Sequence, residues 1–225
     1  MSIHDAARNA DAVMLRRLLE EGVSPDTIST SGSTPILSLL INHTSATGDP
    51  AACFRLLCSA GANLEAISST GCTALHYAAY AENSELVSLL LQAHANVNAT
   101  SMSGYTALHF AARATNARNC VNLLDLLIKG GAALDLKTES NQTPLCLALN
   151  RNMRRIWPVL LRAGAEILTE HNHPYILRVK SAGGYNKYAQ KHIAAMTKLS
   201  VANGRRLPPE VVRHILKYWL HAGYY

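Results

Sequence analysis

Two histidines follow a threonine at the same distance in near-identical strings, Thr73-Ala-Leu-His76 and Thr106-Ala-Leu-His109. An imidazole can ligate a metal, carry a proton or bond to backbone. Catalysis and ligation both need a second chemical group nearby, and the rest of the chain offers none. His171-Asn-His173 is an H-x-H string, but no second Cys or His pair stands at ligand spacing beside it. Cys53, Cys58, Cys72, Cys120 and Cys146 are odd in number and form no C-x-x-C pair. The chain contains no G-x-x-x-x-G-K-[ST], G-x-G-x-x-G, H-E-x-x-H or G-x-S-x-G string. Nothing marks a serine or cysteine as a nucleophile. The residues therefore predict no catalytic group, no metal and no cofactor. The cysteines read as reduced, apolar thiols of a cytoplasmic protein, with the nucleus as the alternative compartment.

Composition narrows the class further. Of 225 residues, 48% are apolar and 16% charged, which suits a folded core rather than a disordered chain. Aromatics make up only 6%, so aliphatic side chains and alanine must fill that core. No apolar run approaches the roughly 18–20 residues of a membrane-spanning helix. The opening Met1-Ser-Ile-His-Asp5 has neither a basic nor an apolar stretch. Neither membrane insertion nor a secretory leader is expected.

The elements that hold the histidines repeat. Ser33-Thr-Pro-Ile-Leu37, Cys72-Thr-Ala-Leu-His76, Tyr105-Thr-Ala-Leu-His109 and Gln142-Thr-Pro-Leu-Cys146 align. A second series aligns at Leu19-Glu-Glu-Gly22, Leu57-Cys-Ser-Ala-Gly61, Leu91-Gln-Ala-His94, Ile128-Lys-Gly-Gly131 and Leu161-Arg-Ala-Gly164. Gly22 to Thr34, Gly61 to Thr73, His94 to Thr106 and Gly131 to Thr143 each span 12 positions. The return spans from Thr to the next Gly-type residue are 27, 21, 25 and 21. A segment of fixed length sets a stacking register, so it is expected to be an extended hairpin. The variable segment is expected to hold two helices and their loop. The extra residues fall at Asn42–Pro50 and near Ala114–Asn119, both rich in turn formers. Thr34, Thr73, Thr106 and Thr143 are expected to cap helix N-termini, and Pro35 and Pro144 to occupy first helical positions. His94 stands where the other units have glycine, so it either pays local strain or ends its helix differently.

These strings resemble the T-P-L-H-x-A-A and L-L-x-x-G-A signatures of ankyrin repeats. The resemblance implies an all-α solenoid with short β-hairpin loops. It places about five repeats at residues 1–31, 32–70, 71–103, 104–140 and 141–173. An array over residues 1–170 would then precede a basic helical segment, 171–225. In this family the histidine of T-P-L-H bonds to hairpin backbone, which implies a structural role for His76 and His109. Ankyrin arrays bind a protein partner along hairpin tips and first helices. Matching positions here are the tips Ile28, Thr30, Ser33, Ile67, Ser69, Cys72, Thr100, Met102, Tyr105, Lys137, Glu139 and Gln142. First-helix positions are Ile41, Tyr80, Arg113, Asn150 and Arg151. The family's frequent tip aspartate is replaced by Ser29, Ser68, Ser101 and Thr138. A hydroxyl can still bond to the local backbone, but the negative charge is gone. The stripe is then neutral, with Tyr105 and Met102 as anchors.

Beyond the repeats, short helices are expected over about Pro174–Ser181 and Tyr185–Leu199, broken at Ala182-Gly183-Gly184. Leu207-Pro-Pro-Glu-Val-Val-Arg-His-Ile-Leu-Lys-Tyr-Trp-Leu220 has apolar residues at helical spacing. Two readings stand: a cap over the open end of the array, or a helix that docks a second protein. The string is similar to the opening of an F-box. That resemblance implies an adaptor of a cullin-type ubiquitin ligase using Leu207, Pro208, Glu210, Val211, Ile215 and Trp219. Residues 151–225 hold 13 basic and 3 acidic side chains, against 8 and 12 in residues 1–150. The basic end could meet nucleic acid or an acidic partner, but no nucleic-acid motif accompanies it. The leading expectation is a monomeric, non-catalytic scaffold that binds another protein, with no small-molecule substrate and no nucleic acid.

Overall fold

The computed structural model describes residues 2–41, 48–113, 119–167 and 173–202. Among them lie twelve helices and no strand. Five antiparallel pairs come first: α1 (Ile3–Arg8) with α2 (Ala12–Glu20), α3 (Pro35–Ile41) with α4 (Pro50–Ser59), and α5 (Ala74–Tyr80) with α6 (Ser84–Gln92). α7 (Ala107–Ala112) with α8 (Asn119–Lys129), and α9 (Pro144–Asn150) with α10 (Trp157–Ala163), complete the series. The first helices pack in a row, α1 on α3 on α5 on α7 on α9. The second helices form a parallel row, α2 on α4 on α6 on α8 on α10. The inner surfaces are made for this. Ala78, Ala79, Ala111 and Ala112 are fully buried and let helices approach, while Leu57, Leu90, Leu127 and Leu160 fill the space between units. No pair buries its own apolar side alone, so stacking of neighbours supplies the stability.

Two of the four threonines make the expected cap bond, and a third bonds to the histidine ring instead. The Thr106 and Thr143 hydroxyls accept from the backbone of His109 and Cys146, and the Thr73 hydroxyl pairs with His76 Nδ1 at 2.9 Å. Thr34 departs: its hydroxyl is buried without a partner. Residue 37 is leucine, so the group that would face that hydroxyl is apolar. Pro35 and Pro144 do open α3 and α9. His94 takes the left-handed conformation, φ 62°, that Gly22, Gly61, Gly131 and Gly164 take at the matching sites. The extra residues lie between α3 and α4 and between α7 and α8.

The fixed 12-residue segments are hairpins reduced to their turns. In each, the N–H of Ser29, Ser68, Ser101 or Thr138 donates to the carbonyl four residues on, at 2.9–3.0 Å. The same residue's hydroxyl accepts the returning N–H from that fourth residue, at 3.1–3.2 Å. A hydroxyl thus does the work of the absent aspartate. Neighbouring turns are also tied. Met102 N–H donates to Thr70 O and Glu139 N–H to Ser103 O, both at 3.1 Å.

A second set of ties runs along the base of the segments. The side chains of Asp26, Glu65, Asn98 and Asp135 accept from the N–H of Asn63, Asn96, Ala133 and Glu166, each at 2.8 Å. Each acceptor stands four residues past its Gly-type position, and each donor two past the next. Every junction of the array therefore carries one such bond.

After Gly164 the rhythm changes. α11 (Pro174–Ser181) is capped by His173, whose Nδ1 accepts from Tyr175 N–H at 3.3 Å. That cap comes nine residues after Gly164, not 12. α12 (Tyr185–Ala202) packs on α10 and α11, continuing the row of second helices. Tyr175, Ile176, Val179 and Tyr188 belong to the same core cluster as the repeats. The expected helix over 207–220, with Leu207, Pro208, Glu210, Val211, Ile215 and Trp219, lies outside the described residues. Among the described residues no helix is long and apolar enough to cross a membrane.

Candidate partner-binding groove

The second and third turns and the helices α5 and α7 enclose a groove of about 370 Å³. Its floor is Cys72 and His76, both buried. Its walls are aromatic. Phe110 stands 5.5 Å from Tyr105, 6.0 Å from Tyr80 and 5.8 Å from His76, measured between ring centroids. Tyr80 is 71% exposed, an unusual cost for a ring whose one aromatic partner among the described residues is Phe110. Arg113, the C-cap of α7, lays its guanidinium carbon 5.3 Å from the Tyr105 ring centroid. Thr70, Ser101 and Ser103 supply hydroxyls from the turns.

The floor is rigid because His76 is held at both ring nitrogens. Thr73 N–H donates to Nδ1 at 2.9 Å, so Nδ1 carries a lone pair and the proton sits on Nε2. Nε2 donates to the carbonyl of Tyr105 in the next unit, at 2.9 Å. His109 repeats the arrangement, accepting from Thr106 N–H at 3.1 Å and donating to Gln142 O at 3.1 Å. Burial lowers the pKa of both rings, partly offset by these backbone bonds. The neutral imidazole is the form the geometry needs.

The family model for ankyrin repeats (3 copies) matches residues 3–101 and 40–125. The chain is an ankyrin-repeat protein. No curated protein matches it in sequence. The repeat pairs, turn geometry and histidine bridges described above are those of such an array, and ankyrin repeats are protein-interaction modules. The solenoid expected from the sequence is the fold observed.

The structure distributes the nominated residues unevenly over the array. Cys72, Tyr80, Tyr105 and Arg113 line the groove. Ile28, Ile67 and Met102 stand out from successive turns at 71%, 58% and 65% exposure. Thr30, Ser69, Thr100, Lys137 and Glu139 are exposed on the turns, and Ser33 and Gln142 are half-buried. Ile41 ends α3, and Asn150 and Arg151 end and cap α9; all three are exposed. Cys72 differs from the expectation of a tip contact, since it is only 9% exposed. It lies on the groove floor, whereas Ser33, Tyr105 and Gln142, held by the same two bonds in their own turns, are half-buried.

Phe110, Tyr77, Thr70, Ser101 and Ser103 were not among the nominated positions, yet they line the groove. The signal was present: Tyr77 and Phe110 both follow the histidine, one repeat apart, in strings otherwise built of alanine. The base ties of Asp26, Glu65, Asn98 and Asp135 were equally legible as polar residues at one fixed register. Elsewhere, Arg178, Lys191 and His192 border a shallower depression of about 340 Å³ beside Tyr188. His173 caps α11 and packs on Trp157 at 4.6 Å, while His171 lies outside the described residues. Among the described residues no three His, Cys, Asp or Glu side chains stand close enough to hold a metal.

Proposed function

We propose that this ankyrin-repeat protein is a monomeric, non-catalytic scaffold of the cytoplasm or nucleus. Its array, residues 1–170, binds a polypeptide partner on the side formed by turns and first helices, centred on the Tyr80–Phe110–Tyr105 groove. One observation carries this reading: an aromatic wall, with Tyr80 exposed and Tyr105 and Phe110 half-buried, over a floor locked by a histidine bridge. Tyrosine and phenylalanine at a pre-organised site are the residues that anchor interfaces, because they bury large area at small entropic cost. Successive turns extend the apolar strip outward through Met102, Ile67 and Ile28. The five cysteines are thiols, four of them buried, and burial pushes Cys53 up to about 11, which suits inert side chains of a reducing compartment.

Site-specific photo-crosslinking tests the face. A benzophenone side chain at residue 80 should yield a discrete polypeptide adduct in extract, and one at Gln92, exposed on α6, should not. Equal adducts from both positions, or adducts from Gln92 alone, would contradict the assignment.

A further inference from the structure

The aromatic groove contains one charged side chain, and among the described residues it has no counter-ion. Arg8, Arg17 and Arg162 each reach a carboxylate, at 3.1, 2.8 and 3.7 Å. Among the described residues no carboxylate stands within 4.0 Å of Arg113. Its guanidinium is instead held over Tyr105, which orients the plane while leaving the N–H fork open. Such a fork matches a carboxylate. The groove volume, about 370 Å³, is at the small end of ligand sites, so one large side chain with its backbone fills it. Ser101 accepts Tyr105 N–H at 3.2 Å, which leaves its proton to donate to that backbone.

Resting on the function proposed above, we infer that the groove takes an extended peptide in which a large apolar residue is followed closely by a single Asp or Glu. The apolar side chain sits among Tyr80, Phe110 and Tyr105, and the carboxylate pairs with Arg113. The Arg113 guanidinium carbon lies 5.3 Å from the Tyr105 ring centroid, so the two contacts are neighbours and the paired residues are close in the peptide. A single cation favours a peptide acid over a polyanion, whose phosphates demand several.

Selection from a displayed library of random dodecapeptides on the full chain tests this. Enriched peptides should share the apolar–acidic pair. Their affinity should fall about tenfold or more in Arg113→Gln, the effect of losing one charge-assisted pair. Arg113→Glu should instead select Lys or Arg at the acidic position, a change that mere unfolding cannot produce. Peptides lost in Tyr80→Ala but indifferent to Arg113→Gln overturn the carboxylate and leave the face standing. Peptides indifferent to Tyr80→Ala, or no enrichment at all, overturn both. Displacement of the peptides by a single-stranded oligonucleotide with a steep salt slope overturns the peptide assignment, as does a dimer in sedimentation that Tyr80→Ala dissolves.

Discussion

His76 Nε2 donates to the carbonyl of Tyr105, 29 residues further along the chain and 2.9 Å away. The bond joins the floor of one repeat to the turn of the next, and it exists only while Nδ1 is free to accept from Thr73. A second proton on Nδ1 would face the Thr73 N–H and break the cap. Burial depresses the ring's pKa below the ordinary 6.5, as it does for His109. A depressed imidazole pKa means the unfolded chain binds the proton more readily. Stability is then complete above the ordinary value and declines as pH falls below it. The urea midpoint should be flat from pH 8 to about 7 and drop progressively toward pH 5.5. His76→Leu should lower the midpoint at neutral pH and flatten the slope. A midpoint equal at pH 7.5 and 5.5 would contradict the tautomer assigned here.

The first junction lacks what the next two have. Leu37 occupies the histidine position, and no Nε2 reaches the carbonyl of Cys72. The amide of Ser69, which corresponds to Met102 and Glu139, makes no bond to the preceding turn. A Cβ added to Gly32 would meet nothing within 4 Å, whereas one on Gly71 would meet Met102 N at 2.8 Å. Both glycines have positive φ, 75° and 73°, so alanine strains both alike. The steric clash is added only at Gly71. Gly71→Ala should therefore destabilise by about 1–2 kcal/mol more than Gly32→Ala, in the range of a strained, overpacked site. Hydrogen exchange should be faster at the Ser69 amide than at Met102 or Glu139. Equal costs and equal protection would show the first junction to be as tight as the others.

His94 pays for its position in strain. At φ 62° it holds a conformation that costs an L-residue about 1–2 kcal/mol, partly recovered by glycine's larger unfolded-state entropy. The side chain is exposed and its removal empties no core. His94→Gly should raise stability by about 0.5–1 kcal/mol, read from the denaturation midpoint at constant slope. A lower midpoint would mean the imidazole makes a contact that outweighs the strain.

Much of this was written in the residue order. The alignment of Thr73-Ala-Leu-His76 with Thr106-Ala-Leu-His109 located the helix starts, and the constant 12-residue spans located the turns, because stacking permits no change of length there. The tips were legible by register, which is why Ile28, Ile67 and Met102 prove exposed. The groove was less so. Register states which positions face the partner side, but the pairing of Phe110 with Tyr80 and Tyr105 depends on how far apart two repeats stack. Cys72 shows the limit: its register is that of a tip, yet it is buried on the groove floor while Ser33, Tyr105 and Gln142 at the same register are half-buried. Thr34 shows another: its register is that of a cap, yet its hydroxyl is buried without a partner. Past Gly164, a connection three residues shorter ended the rhythm on which the counting relied.

The Tyr80–Phe110–Tyr105 surface is where a partner polypeptide is proposed to bind. The decisive measurement is the affinity of the purified crosslinked partner for the native chain, for Tyr80→Ala and for Tyr105→Ala, each checked for an unchanged unfolding midpoint. Losses of tenfold or more, about 1.4 kcal/mol for each anchor, are predicted, with only weak dependence on salt. Losses below tenfold in both variants, with a larger loss on substituting Gln92 of the opposite row, would place binding elsewhere and contradict the account.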